Sequence, residues 1–571
     1  MLETIIKRWA PKPAPDLNIL ESIRKELKVN DILLQLIAQR HIGTLQEAFV
    51  HFTPDIKYLH DPLLMLDMEK AVDRIITAME KGEKILIYGD YDVDGTTSVA
   101  LVYSFLETVY PQIYYYIPDR FKEGYGISMQ SVDWAKEKKI SLIIALDCGI
   151  KANSQVQYAN ENGIDYIICD HHTPGDIIPD AYAILNPKRK DCPYPYKELS
   201  GCGIGFKLIQ ALATKLKLEW NSEEYLDLVA VSIASDIVPV TGENRTLAFF
   251  GLNRINTNPR PGIYALMQYA AIKTNMQIND LVFKLGPRIN AAGRVASGSA
   301  AVAMLIEKSR HKAIEMAAEV NKSNSMRKEF DSTITTQALK MLEDDEDYLN
   351  RKTTVLFDRE WHKGVIGIVA SRLIDKYYRP TVLLTESNGY AVGSARSVPG
   401  FNLYEAISEC ADVLDQWGGH HAAAGLTMKL ENIDLFKERF EEAVTRLITD
   451  DLLIPVIIYD LEIPFDAITL SFCKTLERFG PFGPENMKPV FMTKNLISVA
   501  EPRIVGNNHL LLSISDGSGV FFRAIGFGLS DFIEITHNGA KIDICYTIEP
   551  NEFRGEFSIN LNIKDIKPSV E

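Results

Sequence analysis

The chain reads as an α/β protein in which a parallel-sheet domain and a second α/β domain are joined by a long helix and followed by an OB-like β-barrel. Three observations predict this. Short apolar runs at Lys84–Tyr88, Ile113–Ile117, Ser141–Ala145 and Tyr166–Cys169 alternate with helix-like segments of crossover length, which implies a mostly parallel sheet. Between Ser309 and Leu342 there is neither glycine nor proline, and apolar residues recur at 313, 316, 317, 320, 326, 330, 334, 338, 341 and 342, the spacing of one long helix. Beyond about residue 455 the pattern changes to short strands with turn signals between them.

In chain order, residues 1–60 read as a cap of short amphipathic helices, with Leu20, Ile23 and Leu27, then Ile32, Leu33, Leu36 and Ile37, at helical spacing. Residues 61–300 hold the parallel sheet and 301–350 the connector helix. Thr353–Phe357 and Thr381–Thr385, with the helix-like VIGIVASRLI between them, place a second α/β domain at 351–452. The barrel occupies 453–571, with strands at Val490–Met492, His509–Ile514, Val520–Ile525, Ile542–Ile548 and Phe557–Ile563. A chain of 571 residues is too long for one core, and three or more domains match its size.

Apolar content of 46% and charged content of 24% are ordinary for a globular protein. A formal net charge of −15 argues against a generic nucleic-acid coat, although not against a nucleic-acid enzyme with a local basic channel. Seven cysteines, an odd number without a C-x-x-C pair, point to a reducing cytoplasm. The start MLETIIKRWAPKPAP is too short in apolar residues for a signal peptide, and no run reaches membrane-spanning length, so no membrane role is expected.

The chemistry concentrates in KILIYGDYDVDGTTS, where an apolar run ends in Asp90, Asp92 and Asp94. Three carboxylates so close together at a strand end call for counter-charge, most economically a divalent metal. Gly95 is expected to turn the chain, and Thr96, Thr97 and Ser98 to offer N-cap hydroxyls to a helix over Val99–Val109. A calcium loop would need a bidentate Glu at its twelfth position, which is Leu101 here. LDCGI puts Asp147 just past the third strand, CDHH puts Asp170, His171 and His172 past the fourth, and SIASDIVP adds Asp236. Carboxylates and imidazoles together at one sheet end suit Mn²⁺ or, with more water, Mg²⁺, and a thiolate zinc site lacks its spacing. There is no G-x-S-x-G elbow for a serine nucleophile and no P-loop. In the second α/β domain, GSARS and GGHH read as glycine-rich turns able to hold phosphate, with tight packing as the competing explanation.

In order and spacing, GDYDVDGTTS, LDCGI, CDHH and SIASDIVP resemble the four motifs of the DHH phosphoesterase superfamily. Further segments resemble its bacterial single-strand-specific 5′→3′ exonucleases: IPDRFKEGYGIS (117–128), LSGCGIGFKL, LGPRINAAGR, WHKGVIGIVASRL, GSARSVPGFNL, WGGHHAAAG and FGPFGPENMKPVF. The resemblance implies a DHH domain, a DHHA1 domain and an OB-fold that binds single strands. It implies two divalent ions, Mn²⁺ or Mg²⁺, with Asp92 and Asp94 on one ion each, Asp147 bridging, His171 and Asp236 completing the ligands of the second ion, and His172 facing the scissile phosphate. Tyr88 stands where many members have histidine, so the first ion would lean on Asp90 or water.

The implied reaction is two-metal hydrolysis of single-stranded DNA from the 5′ end to 5′-mononucleotides, in recombination and repair. Arg120, Ser394 and Arg396 would hold the 5′-terminal phosphate. Arg288, Asn290, Arg294, His420 and His421 would contact the strand. Phe479, Phe482, Phe521 and Phe522 are stacking candidates that core packing would equally explain. A single-strand-binding protein and a RecQ-type helicase are the implied protein partners. The rival readings are a phosphoesterase for short oligonucleotides or cyclic dinucleotides, which leaves connector and barrel without purpose, and an inactive replication scaffold, which the intact acidic and histidine set opposes.

Overall fold

A computed structural model describes residues 7–124, 126–272, 275–295, 297–537, 539–553 and 555–569. The first six residues and Tyr125 of the 117–128 segment lie outside them. The chain forms two compact units, one of Ala14–Asn324 with Lys474–Lys488, the other of Met1–Pro13, Ser325–Cys473 and Pro489–Glu571.

The first unit is built on a five-stranded parallel sheet in the order Ile113–Tyr116, Lys84–Gly89, Ile140–Leu146, Asp165–Cys169, Ala183–Leu185. Its strands read as continuous apolar runs because both faces are covered. Ile85 and Ile87 enter one core layer, Leu86 and Tyr88 the other. Tyr88 is fully buried in that second layer; its hydroxyl donates to the Gly126 carbonyl at 2.7 Å and its ring stacks on Tyr116. On the opposite face the helices Val93–Leu106, Gly201–Lys215 and Leu226–Ser235 share one core.

The helix after the first strand begins at Val93, six residues before the expected Val99. The reason is Asp92, whose carboxylate accepts the Gly95 N–H at 3.0 Å and so supplies the N-cap itself. The hydroxyls expected to cap the helix, those of Thr96 and Thr97, lie inside it and donate back to the carbonyls of Asp92 and Val93. Gly95 is helical rather than a turn; it is needed because a Cβ there would lie 2.3 Å from the Asp90 carbonyl oxygen.

The amino-terminal helices Leu17–Glu26, Asp31–Ala38 and Leu45–Phe52 form at side-chain caps from Asp16, Asn30 and Thr44, the last a capping box with Glu47. The helical reading fails for Arg8–Pro11, a strand paired in parallel with Val456–Tyr459 in the second unit and anchored by Trp9 Nε1 donating to Asp565 at 2.7 Å. The helix Arg310–Glu343 is continuous over 34 residues and contributes to two cores, with Ala313, Ala317 and Val320 in the first and Ile334, Ala338 and Leu342 in the second.

In the second unit a five-stranded sheet runs Gln416–Gly419, Ala423–Lys429, Tyr390–Arg396, Thr381–Ser387, Thr354–Phe357. Only its last pair is parallel. GSARS is therefore not a turn but part of a strand, where a Cβ on Gly393 would come within 2.6 Å of Leu384 Cδ2. In GGHH the glycines end one strand and the histidines make the hairpin. The barrel has seven strands, ordered Leu461–Glu462, Phe491–Ser498, Ile542–Phe553, Glu556–Pro568, Phe521–Gly526, His509–Ser515, Arg503–Val505, and Phe491–Ser498 also pairs with His509–Ser515. Among the described residues no helix is long and apolar enough to cross a membrane.

Candidate active site

Parallel strands place all their carboxyl ends at one edge, and this is where the first unit collects its acidic and histidine residues. Asp90 and Asp92 follow the first strand, and Asp94 sits in the first turn of the helix that Asp92 caps. Asp147 follows the third strand with φ +59°, a left-handed conformation that turns its carboxylate in toward the cluster. Asp170, His171 and His172 follow the fourth strand, and Asp236 is the C-cap of Leu226–Ser235.

These residues meet. His171 Nε2 lies 3.1 Å from Asp147 Oδ1, 3.4 Å from Asp236 Oδ2 and 3.7 Å from Asp94 Oδ2. Two triads, Asp94–His171–Asp236 and Asp147–His171–His172, each bring three ligand atoms within 4.8 Å of one another. Asp147 Oδ1, Asp90 Oδ2 and both ring nitrogens of His171 are buried without a hydrogen-bond partner. Lone pairs withheld from both water and protein are costly. A divalent cation satisfies several at once, so oxygen-rich donors with one or two imidazoles fit Mn²⁺ or Mg²⁺.

The electrostatics agree. Burial, followed by the Asp94 carboxylate, drives Asp147 far above the usual carboxylate range, and the same two causes push Asp236 up to about 8. Burial and the Asp92 carboxylate push Asp90 up to about 8, and burial with Asp94 raises Asp92. Burial lowers His171. His172 goes the other way: against burial, its Nδ1 contact with Asp170 at 2.7 Å helps to raise it to about 9.

Several residues that build this centre were not picked out as site residues. Asp170 orients His172 and also accepts the Ile150 N–H, while Asn186 donates to the His172 carbonyl. Asp94 is held by the N–H groups of Gly201 (2.7 Å) and Cys202 (2.9 Å) and by the Ser232 hydroxyl (2.7 Å). Gly201 must be glycine, since a Cβ would lie 2.7 Å from Asp147 Cβ. The sequence carried a signal here in LSGCGIGFKL, an N-cap serine before a run of glycines that opens a helix.

The remaining candidates are dispersed. Arg120 lies in the first unit with its guanidinium 5.1 Å above the Tyr91 ring. Arg288, Asn290 and Arg294 share the helix Gly286–Val295, where Arg288 donates to Asn321 and to the carbonyls of Lys284 and Tyr269. In the second unit Arg396 donates to Ser394 Oγ at 3.0 Å, and His420 and His421 are exposed. Of the aromatic candidates, Phe479 is buried in the first unit against Phe52, not in the barrel, and Phe482 also falls in that unit. Phe522 is a core residue. Phe521 is 67% exposed on the barrel.

Residues 84–233 match the DHH family, N-terminal domain, residues 350–446 the DHHA1 domain, and residues 459–565 the RecJ OB domain. Fold and site together define a DHH-family protein with a DHHA1 domain. The chain is 38% identical to the single-stranded-DNA-specific exonuclease RecJ of Bacillus subtilis, over 98% of this chain and 70% of that one. It is 33% identical to RecJ of Escherichia coli over 94% and 96% respectively. The crystal structure of RecJ with Mn²⁺ from Thermus thermophilus covers 99% of the chain at a TM-score of 0.84 and 26% identity, with 80% of that chain covered. The chain belongs to the RecJ family.

Proposed function

We propose that the chain is a metal-dependent exonuclease that hydrolyses single-stranded DNA from the 5′ end to 5′-mononucleotides, in DNA recombination and repair. The observation that carries this reading is the set of buried, unpaired acceptors at the sheet edge of a chain so similar to single-stranded-DNA-specific exonucleases. Asp94, Asp147, His171 and Asp236 would hold one Mn²⁺ or Mg²⁺, and Asp90, Asp92 and Asp147, which follow the neighbouring strand ends, the other. Bound there, the ions supply charge neutralisation at the phosphate and a water activated for in-line attack. The protein's own part is to fix that geometry: Asp170 points His172 toward the scissile phosphate, and the Gly201–Lys215 helix holds Asp94. In the second unit Ser394 and Arg396 read a 5′-terminal phosphate, which accepts more charge-assisted hydrogen bonds than an internal diester; in the first unit Arg120 serves the same end. Arg288, Asn290, Arg294, His420 and His421 contact the strand.

The division into cap (1–60), DHH domain (61–300), connector (301–350), DHHA1 domain (351–452) and OB-fold (453–571) is part of this proposal. So are a cytoplasmic location and partnership with a single-strand-binding protein and a RecQ-type helicase. The test is digestion of end-labelled single strands with Mn²⁺. Label released at once as mononucleotide from the 5′ end, and only late from the 3′ end, is the expected result; the reverse order, or cleavage of duplex at equal rate, overturns the proposal.

A further inference from the structure

Asp94 and Asp147 are both buried and both touch His171, yet their lone pairs are used differently. Asp94 Oδ1 accepts the Cys202 N–H at 2.9 Å and the Ser232 hydroxyl at 2.7 Å, two short bonds that fill its two lone pairs, while the Ser98 hydroxyl stands further off at 3.4 Å. Oδ2 accepts the Gly201 N–H at 2.7 Å and has one lone pair left, on the atom 3.7 Å from His171 Nε2. Asp147 Oδ1, by contrast, accepts no hydrogen bond at all.

The Ser232 hydroxyl faces two acceptors. Its oxygen is 2.7 Å from both Asp94 Oδ1 and Ser200 Oγ, and of these two acceptors the charged carboxylate is the stronger. Ser200 Oγ in turn accepts the Gly203 N–H at 3.1 Å, as the N-cap of the Gly201–Lys215 helix. Ser232 is completely buried, so no water competes for its bond to Asp94.

We propose that Ser232 is a positioning residue whose hydroxyl closes Oδ1 of Asp94, so that this carboxylate offers a single lone pair to a single ion. The inference rests on the two-ion reading above. Outer-shell hydrogen bonds of this kind commonly set metal affinity by about 10–100-fold. The test is Mn²⁺ binding to the full-length, metal-stripped chain, followed by equilibrium dialysis and electron paramagnetic resonance. Ser232→Ala should weaken one of two Mn²⁺ sites by about tenfold or more and leave the other within twofold, with the unfolding temperature of the metal-free protein nearly unchanged. Ser232→Cys, of similar shape with a weak donor, should give the same one-site loss. Ser200→Ala leaves the bond from Ser232 to Asp94 in place and should lower the unfolding temperature with both affinities kept. Both sites unchanged in Ser232→Ala, both weakened equally, or the same one-site loss in Ser200→Ala overturns the inference. A parent chain that binds fewer than two ions fails the two-ion reading instead.

Discussion

The two sheets of this molecule handle charge in opposite ways. In the first unit, all strands of the sheet run in one direction, so every loop at the carboxyl edge brings its acid to the same place and the site is a buried concentration of negative charge. In the second, antiparallel strands spread chemistry along their length, and what they present is Ser394 and Arg396 on a strand and His420 and His421 at a hairpin. The lesson is that strand direction alone separates the two tasks. A parallel edge converges carboxylates and imidazoles on one place, whereas an antiparallel face spreads its polar side chains along the strands.

That contrast can be broken at the convergent edge first. Asp147→Ala removes the carboxylate whose Oδ1 is left without a partner, and kcat on single strands should fall by at least about a thousandfold while affinity for DNA stays within a few-fold. Activity within tenfold of the parent contradicts the convergence. Asp170→Asn keeps the shape of the loop and removes the charge that orients His172; kcat should drop about a hundredfold with KM nearly constant in steady-state assays.

On the antiparallel face the effects should be smaller and should fall on recognition. Gly367, in the first turn of Ile366–Tyr377, lies so close to the proposed end-binding pair that a Cβ would be 2.6 Å from Ser394 Oγ and 2.8 Å from Arg396 Nη2. Gly367→Ala should therefore narrow the kcat/KM ratio between 5′-phosphorylated and 5′-hydroxyl strands by about tenfold, as should Arg396→Ala, with little change on 5′-hydroxyl strands. An unaltered ratio in both variants places end recognition elsewhere. The smallest effect sharpens the aromatic assignment: Phe521→Ala should weaken single-strand binding about five- to tenfold without lowering the melting temperature, whereas Phe522→Ala should lower that temperature.

The same contrast explains what could be read beforehand. The parallel sheet was legible because strands buried on both faces write continuous apolar runs, and its site because each acid directly follows such a run. The antiparallel strands were not, since Tyr390–Arg396 and Ala423–Lys429 are rich in glycine and alanine and lack β-branched runs; Gly393 is there for packing against Leu384 and Leu426. Asp92 was read as a ligand, and nothing local showed that it is also the cap that starts a helix. Ser232 lies far in sequence from Asp94 and was invisible until folding joined them.

One consequence concerns synthesis rather than catalysis. Arg245 is buried in the first unit, where its guanidinium donates to the carbonyls of His51, Arg478 and Gly480, and burial with the neighbouring Arg40 lowers it to about 10. Gly480 is 235 residues further along. At ribosomal rates of about 5–20 residues per second, that leaves roughly 12–47 s in which the nascent first unit has an open socket and Arg245 lacks the Arg478 and Gly480 carbonyls. Until the segment Lys474–Lys488 emerges and returns to fill it, the catalytic half of the chain is unfinished, even though its whole acidic centre has already been made. The fold thereby ties completion of the hydrolytic unit to the arrival of residues from near the far end of the message.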